Sequence, residues 1–86
     1  MIAKEITIQI PEGLEISPVA KVVQIASQFE SIVYIDADDR HINAKSIMGM
    51  MSLGLNSGEE VTVVCDGTDE GIAVEEIDKF LSGEAS

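Results

Sequence analysis

Aromatic side chains are almost absent from this 86-residue chain, which has no tryptophan, one tyrosine and two phenylalanines. That excludes a stacking platform for nucleic-acid bases. Basic residues are also few: five Lys and Arg stand against sixteen Asp and Glu, for a net charge of −11. A field of that sign repels phosphate backbones and excludes direct nucleic-acid binding. The single Cys65 cannot close an internal disulfide, which suits a reducing compartment and a cytoplasmic location. No apolar run approaches the length needed to cross a bilayer, so no membrane partner is expected. The start shows no leader pattern, because Met1 is followed by a charged, alternating segment. Repeats and low-complexity tracts are absent as well. The acidic groups Asp36/Asp38/Asp39 and Glu75/Glu76/Asp78 lack the spacing and central glycine of a calcium loop. They read as solvated charge, and no metal or cofactor is expected.

What remains is 45% hydrophobic, enough for one core in one small domain spanning residues 1–86. Residues 4–10, KEITIQI, alternate strictly, with Ile6, Ile8 and Ile10 on one face and Thr7 and Gln9 on the other. This predicts a half-buried strand, stopped by Pro11 and Gly13. SPVAKVVQIASQF follows with Ser17 as helix N-cap and Pro18 at the first helical position. Val19, Val22, Val23, Ala26 and Phe29 form its apolar stripe. SIVYID at 31–36 and RHIN at 40–43 predict two strands joined by a turn at ADD. EEVTVVCD predicts another strand, with Val61, Val63 and Cys65 inward. GTDEGIAVEEIDKFLSG then predicts a last helix with Ala73, Ile77, Phe80 and Leu81 as its stripe. With a short helix at 47–53, the order is βαββαβα. It implies a two-layer α+β sandwich, an antiparallel four-stranded sheet with helices on one face. The pattern leaves the strand order open.

The short helix lies in NAKSIMGMMSLGLNSG, residues 43–58, which holds three of the four methionines and almost no charge. At 100° per residue, Ile47, Met48 and Met51 share one side, and Met50 and Leu53 share another. A helix that is apolar all round is either sandwiched or exposes one apolar face. Two longer helices already cover the sheet of this small chain. One of the two sides therefore faces water as an adaptable docking surface, unless all the methionines fill the core. Ser46 precedes the first helical residue and reads as an N-cap, with Lys45 beside it. A phosphate on that serine would meet free N–H groups and a favourable dipole. Plain capping explains the serine equally well.

NAKSIMGMMSLGL closely resembles the regulatory-serine segment of the HPr family, small phosphocarriers of the bacterial sugar phosphotransferase system. GLEISPVA aligns with that family's active-site loop, VVQIASQF with its first helix and GEEVTV with its last strand. The resemblance covers nearly the whole chain and implies an open-faced sandwich with sheet order 1-4-2-3, covered on one face by three helices. The family's loop reads Gly-[Leu/Ile]-His-Ala-Arg-Pro-Ala, whereas this chain has Gly13-Leu14-Glu15-Ile16-Ser17-Pro18-Val19. Glu15 stands in the place of the phosphorylated histidine, and Ser17 in that of the arginine that helps hold the phosphate. A relay needs an imidazole nitrogen that takes and releases a phosphoryl group, and a carboxylate offers only an acyl phosphate. His41, in a short strand, reads as an exposed hairpin residue, and Cys65 as a small core residue.

An intact serine segment with a lost histidine is similar to the catabolite-repression branch of HPr-like proteins. Members of that branch carry glutamine at the histidine position and keep the arginine, so Glu15 and Ser17 differ from both groups. The resemblance implies a non-enzymatic regulator phosphorylated on Ser46 by an HPr kinase/phosphorylase. It further implies binding to a LacI-type transcription regulator. Ile47, Met48 and Met51 would be the docking patch, completed by Ala20 and Gln24 and flanked by Lys45, with Met50 inward. Two other functions remain open: residual phosphocarrier activity on another acceptor, and a constitutive interaction domain in which Glu15 imitates a charged loop.

Overall fold

The computed structural model describes residues 1–10 and 17–83. Its elements run β1 (Ile2–Thr7), α1 (Pro18–Ala26), β2 (Ile32–Ala37), β3 (Arg40–Asn43), α2 (Ile47–Leu53), β4 (Glu60–Asp66) and α3 (Glu70–Leu81). The four strands form one antiparallel sheet of order β1-β4-β2-β3. Register sets the core rows. Val63 lies between Lys4 of β1 and Ile35 of β2, and Ile35 pairs with Ile42 of β3. Alternation then sends Ile6, Val33, Ile35, Val61, Val63 and Cys65 beneath the helices, all buried. Helix α3 packs on β4 and β1, α1 on α3, and α2 on α1 and β3. The result is the open-faced sandwich expected from the resemblance.

Among the described residues, the other sheet face carries no helix. It presents Glu5, Thr7, Thr62, Val64, Tyr34, Asp36, His41 and Asn43, none of them buried. His41 stacks on Tyr34 with ring centroids 3.9 Å apart and pairs through Nδ1 with Asp36, as an exposed hairpin histidine. Lys4 belongs by alternation to the covered side, yet its stem runs out to place the ammonium on Asp78 of α3.

Several boundaries differ from the sequence reading. Strand β1 begins at Ile2 and ends at Thr7, because Thr7 pairs with Glu60, the first residue of β4. The chain continues by bonding the turn before β4: Ile8 N–H donates to Glu59 O at 2.8 Å, and Gly58 N–H to Ile8 O at 2.7 Å. Ile8 is thereby fully buried although outside the strand. Pro11 and Gly13, assigned to stop the strand, lie outside the described residues. Helix α1 ends at Ala26, not Phe29. Its closing turn carries Phe29 back against the core, with Phe29 N–H donating to Ala26 O at 3.3 Å. Ser17 holds the N-cap position and Pro18 begins the helix, but the serine hydroxyl makes no capping bond. Val74 of α3 is buried beside the expected stripe.

One polar knot joins the layers. Asp69, just before α3, accepts the N–H groups of Glu30 and Ser31, each at 2.9 Å, and the Ser31 hydroxyl. Ser31 is the one buried polar residue among those described, so its hydroxyl needs this partner. The Ser31 hydroxyl, followed by the Glu30 amide, holds the Asp69 carboxyl below its usual pKa.

Candidate functional site

The site is built on α2 and the residue before it. Asn43 sets the approach: its carbonyl accepts from Ser46 N–H at 3.0 Å, and its side-chain oxygen accepts from Lys45 N–H at 2.9 Å. Ser46 then leaves the strand with extended backbone, and its Oγ accepts the Gly49 N–H at 3.2 Å. Its carbonyl opens the helix by accepting Met50 N–H at 2.9 Å. This is a side-chain N-cap, and the residue itself is exposed. Gly54, at φ 71°, ends the helix in a conformation that favours glycine.

Seven residues wind about two turns, and their burial divides by angle. Ile47, Met48 and Met51 are 44%, 80% and 68% exposed, whereas Met50 is fully buried and Leu53 is packed against the core. The exposed residues, with Ser52, span an arc of roughly 140°, and Gly49, Leu53 and Met50 span the inward arc. The methionines are therefore divided, one inward and two outward. Gly49 lets the helix sit close: a Cβ there would lie 3.2 Å from Ile42 Cγ2 and 3.3 Å from Ser46 Oγ.

The remaining sequence candidates distribute around this face. Gln24 is exposed and Ala20 half-buried on α1, the helix that packs against α2. Lys45 is adjacent to Ser46 in the chain, but its ammonium donates to Phe29 O at 2.7 Å, just beyond the end of α1. It braces that turn and does not bond the Ser46 hydroxyl. Ser17 and Pro18 lie at the start of α1, and Glu15 lies outside the described residues. Cys65 is buried beneath the helices, and burial, with the Glu70 and Asp69 carboxylates nearby, pushes its thiol up to about 11. No cluster of His, Cys, Asp and Glu with the geometry to hold a metal occurs among the described residues. None of their helices is long and apolar enough to cross a membrane.

One contributor escaped the sequence reading. Arg40, first residue of β3, donates from Nη1 to Ser52 O at 3.0 Å and from Nη2 to Ser52 Oγ at 3.2 Å. Helix α2 has no basic residue in its own last turn. That lack was the available signal that a cation must arrive from elsewhere.

The sheet has the order β1-β4-β2-β3 with three helices on one face, and one family model matches the chain. The model, described as the PTS HPr component phosphorylation site, matches residues 2–83. The chain belongs to the HPr family. It is 39% identical over 84 residues to the HPr-like protein Crh of Halalkalibacterium halodurans, covering 98% of this chain and all of that one. It is 38% identical to the HPr-like protein Crh of Bacillus subtilis, covering 98% and 99% of the two chains. Among solved structures, the phosphocarrier protein HPr of Bacillus anthracis superposes with a TM-score of 0.84 at 34% identity, over 93% of this chain and 95% of that one. HPr-family proteins are phosphocarriers and regulators, and the relatives of this chain include a Bacillus subtilis protein described as the catabolite repression containing protein Crh.

Proposed function

We propose that this HPr-like protein is a phosphorylation-switched regulator that works by protein–protein binding and carries no phosphoryl group from phosphoenolpyruvate. In this reading an HPr kinase/phosphorylase modifies Ser46 with ATP, and the phosphoserine form binds a LacI-type transcription regulator in the cytoplasm. The observation that carries it is the composite surface of α2. An exposed serine hydroxyl at the helix start adjoins Ile47, Met48 and Met51, which are exposed while Met50 is fully buried. Such a surface offers two separable demands to a partner. The apolar side chains need a groove, and a phosphate needs cationic groups, none of which bonds the Ser46 hydroxyl among the described residues. Lys45 is committed to Phe29 O. Phosphorylation adds roughly −1.5 to −2 charges, so it changes the electrostatics of the surface more than its shape. The loss of relay rests on Glu15 and Ser17, which stand where the family pattern has its histidine and arginine.

The test is a pair of parallel phosphorylations followed by mass spectrometric mapping. ATP with an HPr kinase is expected to place one phosphate, on Ser46. Phosphoenolpyruvate with enzyme I is expected to leave the protein unmodified. A stoichiometric, acid-labile phosphate from the second reaction would overturn the regulator reading in favour of a carrier. An unmodified Ser46 in the first would remove the switch.

A further inference from the structure

A seven-residue helix is too short to hold itself by its own hydrogen bonds, so what fixes α2 against the sheet must lie outside it. The packing of Met50 fixes its depth. Rotation about the helix axis is a separate freedom, and it decides where Met48 and Met51 point. Among the described residues, the hydrogen bonds that tie α2 to another element and so oppose rotation come from Arg40, and bonds within the helix and its cap continue from them as a series. Arg40 donates through two nitrogens to the carbonyl and the hydroxyl of Ser52. The Ser52 hydroxyl donates its own proton to Gly49 O at 2.8 Å. Gly49 donates its N–H to Ser46 Oγ at 3.2 Å. The series thus starts in the β2–β3 hairpin, runs along the rim of the exposed face, and ends on the candidate phosphorylation site.

The guanidinium is suited to this role by shape as well as charge. Two donors of one planar fork on two acceptors of one residue fix an angle in addition to a distance. Its charge also sits at the helix C-terminal end, where the carbonyl dipoles are unopposed by any basic residue of α2. Of the other cations, Lys4 pairs with Asp78, Lys45 with Phe29 O and Lys79 lies near Glu76, while Lys21 on α1 makes no hydrogen bond to α2 among the described residues.

We propose that Arg40 is a positioning residue for the Ser46–Met48–Met51 surface, acting through Ser52 to set the rotation of α2. The proposal rests on reading α2 as the surface that kinase and partner engage.

Two measurements on Arg40→Gln, Arg40→Lys, Ser52→Ala and the double variant Arg40→Gln/Ser52→Ala test it. The first is amide hydrogen exchange, with Val63 and Cys65 of β4 as internal reference. Arg40→Gln is expected to speed exchange at Met51, Ser52 and Leu53 about fivefold and leave β4 unchanged. The second is the kinetics of Ser46 phosphorylation by an HPr kinase with ATP. Arg40→Gln is expected to raise KM about fivefold with kcat kept, since the docked surface is misaligned and the serine chemistry is not. Ser52→Ala breaks the hydroxyl link but leaves the guanidinium on the carbonyl, so its effects are intermediate. The double variant is expected to fall short of the product of the single effects, the mark of one shared linkage. Arg40→Lys keeps the charge without the fork and recovers part of the loss.

Unchanged exchange in Arg40→Gln would overturn the proposal. So would a silent Ser52→Ala beside an impaired Arg40→Gln, because Arg40 would then act as a charge touching the kinase directly. A wild-type protein left unphosphorylated at Ser46 refutes the switch instead, and the exchange data still decide the positioning.

Discussion

Replacing Met48 and Met50 by aspartate, one at a time, separates docking surface from core. The two residues lie two apart on one short helix, yet Met48 is 80% exposed and Met50 is fully buried. Met50→Asp removes a buried side chain whose burial contributes about 1.5–3 kcal/mol. It also puts a carboxyl into the hydrophobic core without a partner, at a further cost of several kcal/mol or a forced protonation. A total above about 4 kcal/mol is large for this chain. At roughly 0.05–0.15 kcal/mol per residue, 86 residues hold about 4–13 kcal/mol in all. At about 4–8 °C per kcal/mol, the melting temperature should fall by at least about 15 °C, or folding should fail. Met48→Asp loses almost no burial and places a negative charge at the second helical position, where the dipole favours it. Its stability should stay within about 0.5 kcal/mol of the parent. Thermal melts followed by circular dichroism read both values, with Met50→Ala as a control expected at about 2–5 kcal/mol. If Met48→Asp melts as early as Met50→Asp, both methionines are core and the docking surface fails. If it melts normally but still binds kinase and partner, the surface is real and unused.

Other expected outcomes follow from individual contacts. Ser46→Ala removes the oxygen that accepts Gly49 N–H and should cost about 1 kcal/mol in urea titration while abolishing modification at that position. Asp69 has a folded-state pKa below its unfolded value of about 3.9, so its contribution is complete above that value and is lost as pH falls through the folded pKa. Asp69→Asn should therefore flatten the loss of stability between neutral and acid pH, as seen in denaturant midpoints. A protein whose acid sensitivity survives the substitution would exclude the Ser31–Asp69 knot as its source. The Cys65 thiol, fully buried and raised to about 11, should react with a disulfide reagent at neutral pH only as fast as the protein unfolds. Rapid reaction of the native protein would contradict the packing of β4 beneath the helices.

Sequence alone determined the elements of this protein, because its alternation and helical stripes are unambiguous where one face is buried. Val61, Val63 and Cys65 alternate inward, and Ala73, Ile77, Phe80 and Leu81 keep helical spacing; all are buried. Ser46 was legible as a cap because side-chain capping is local, reaching only from Ser46 Oγ to Gly49 N–H. By residue pattern alone the methionine helix was half legible. Its angles sorted Ile47, Met48 and Met51 from Met50 and Leu53, but the outward side depends on where the neighbouring elements lie. The seating of α2 on β3 and α1 decided that. Strand order has no local signal, so only pairing across the sheet placed β4 between β1 and β2. The ends of β1 and α1 moved for the same reason: a strand ends where its partner does, and Phe29 reached the core by a turn that leaves no periodic trace. Ser31 with Asp69, and Arg40 with Ser52, join residues 38 and 12 positions apart. Polar contacts of that kind obey no spacing rule, since each exists only after the sheet and helices have brought its two ends within hydrogen-bonding distance.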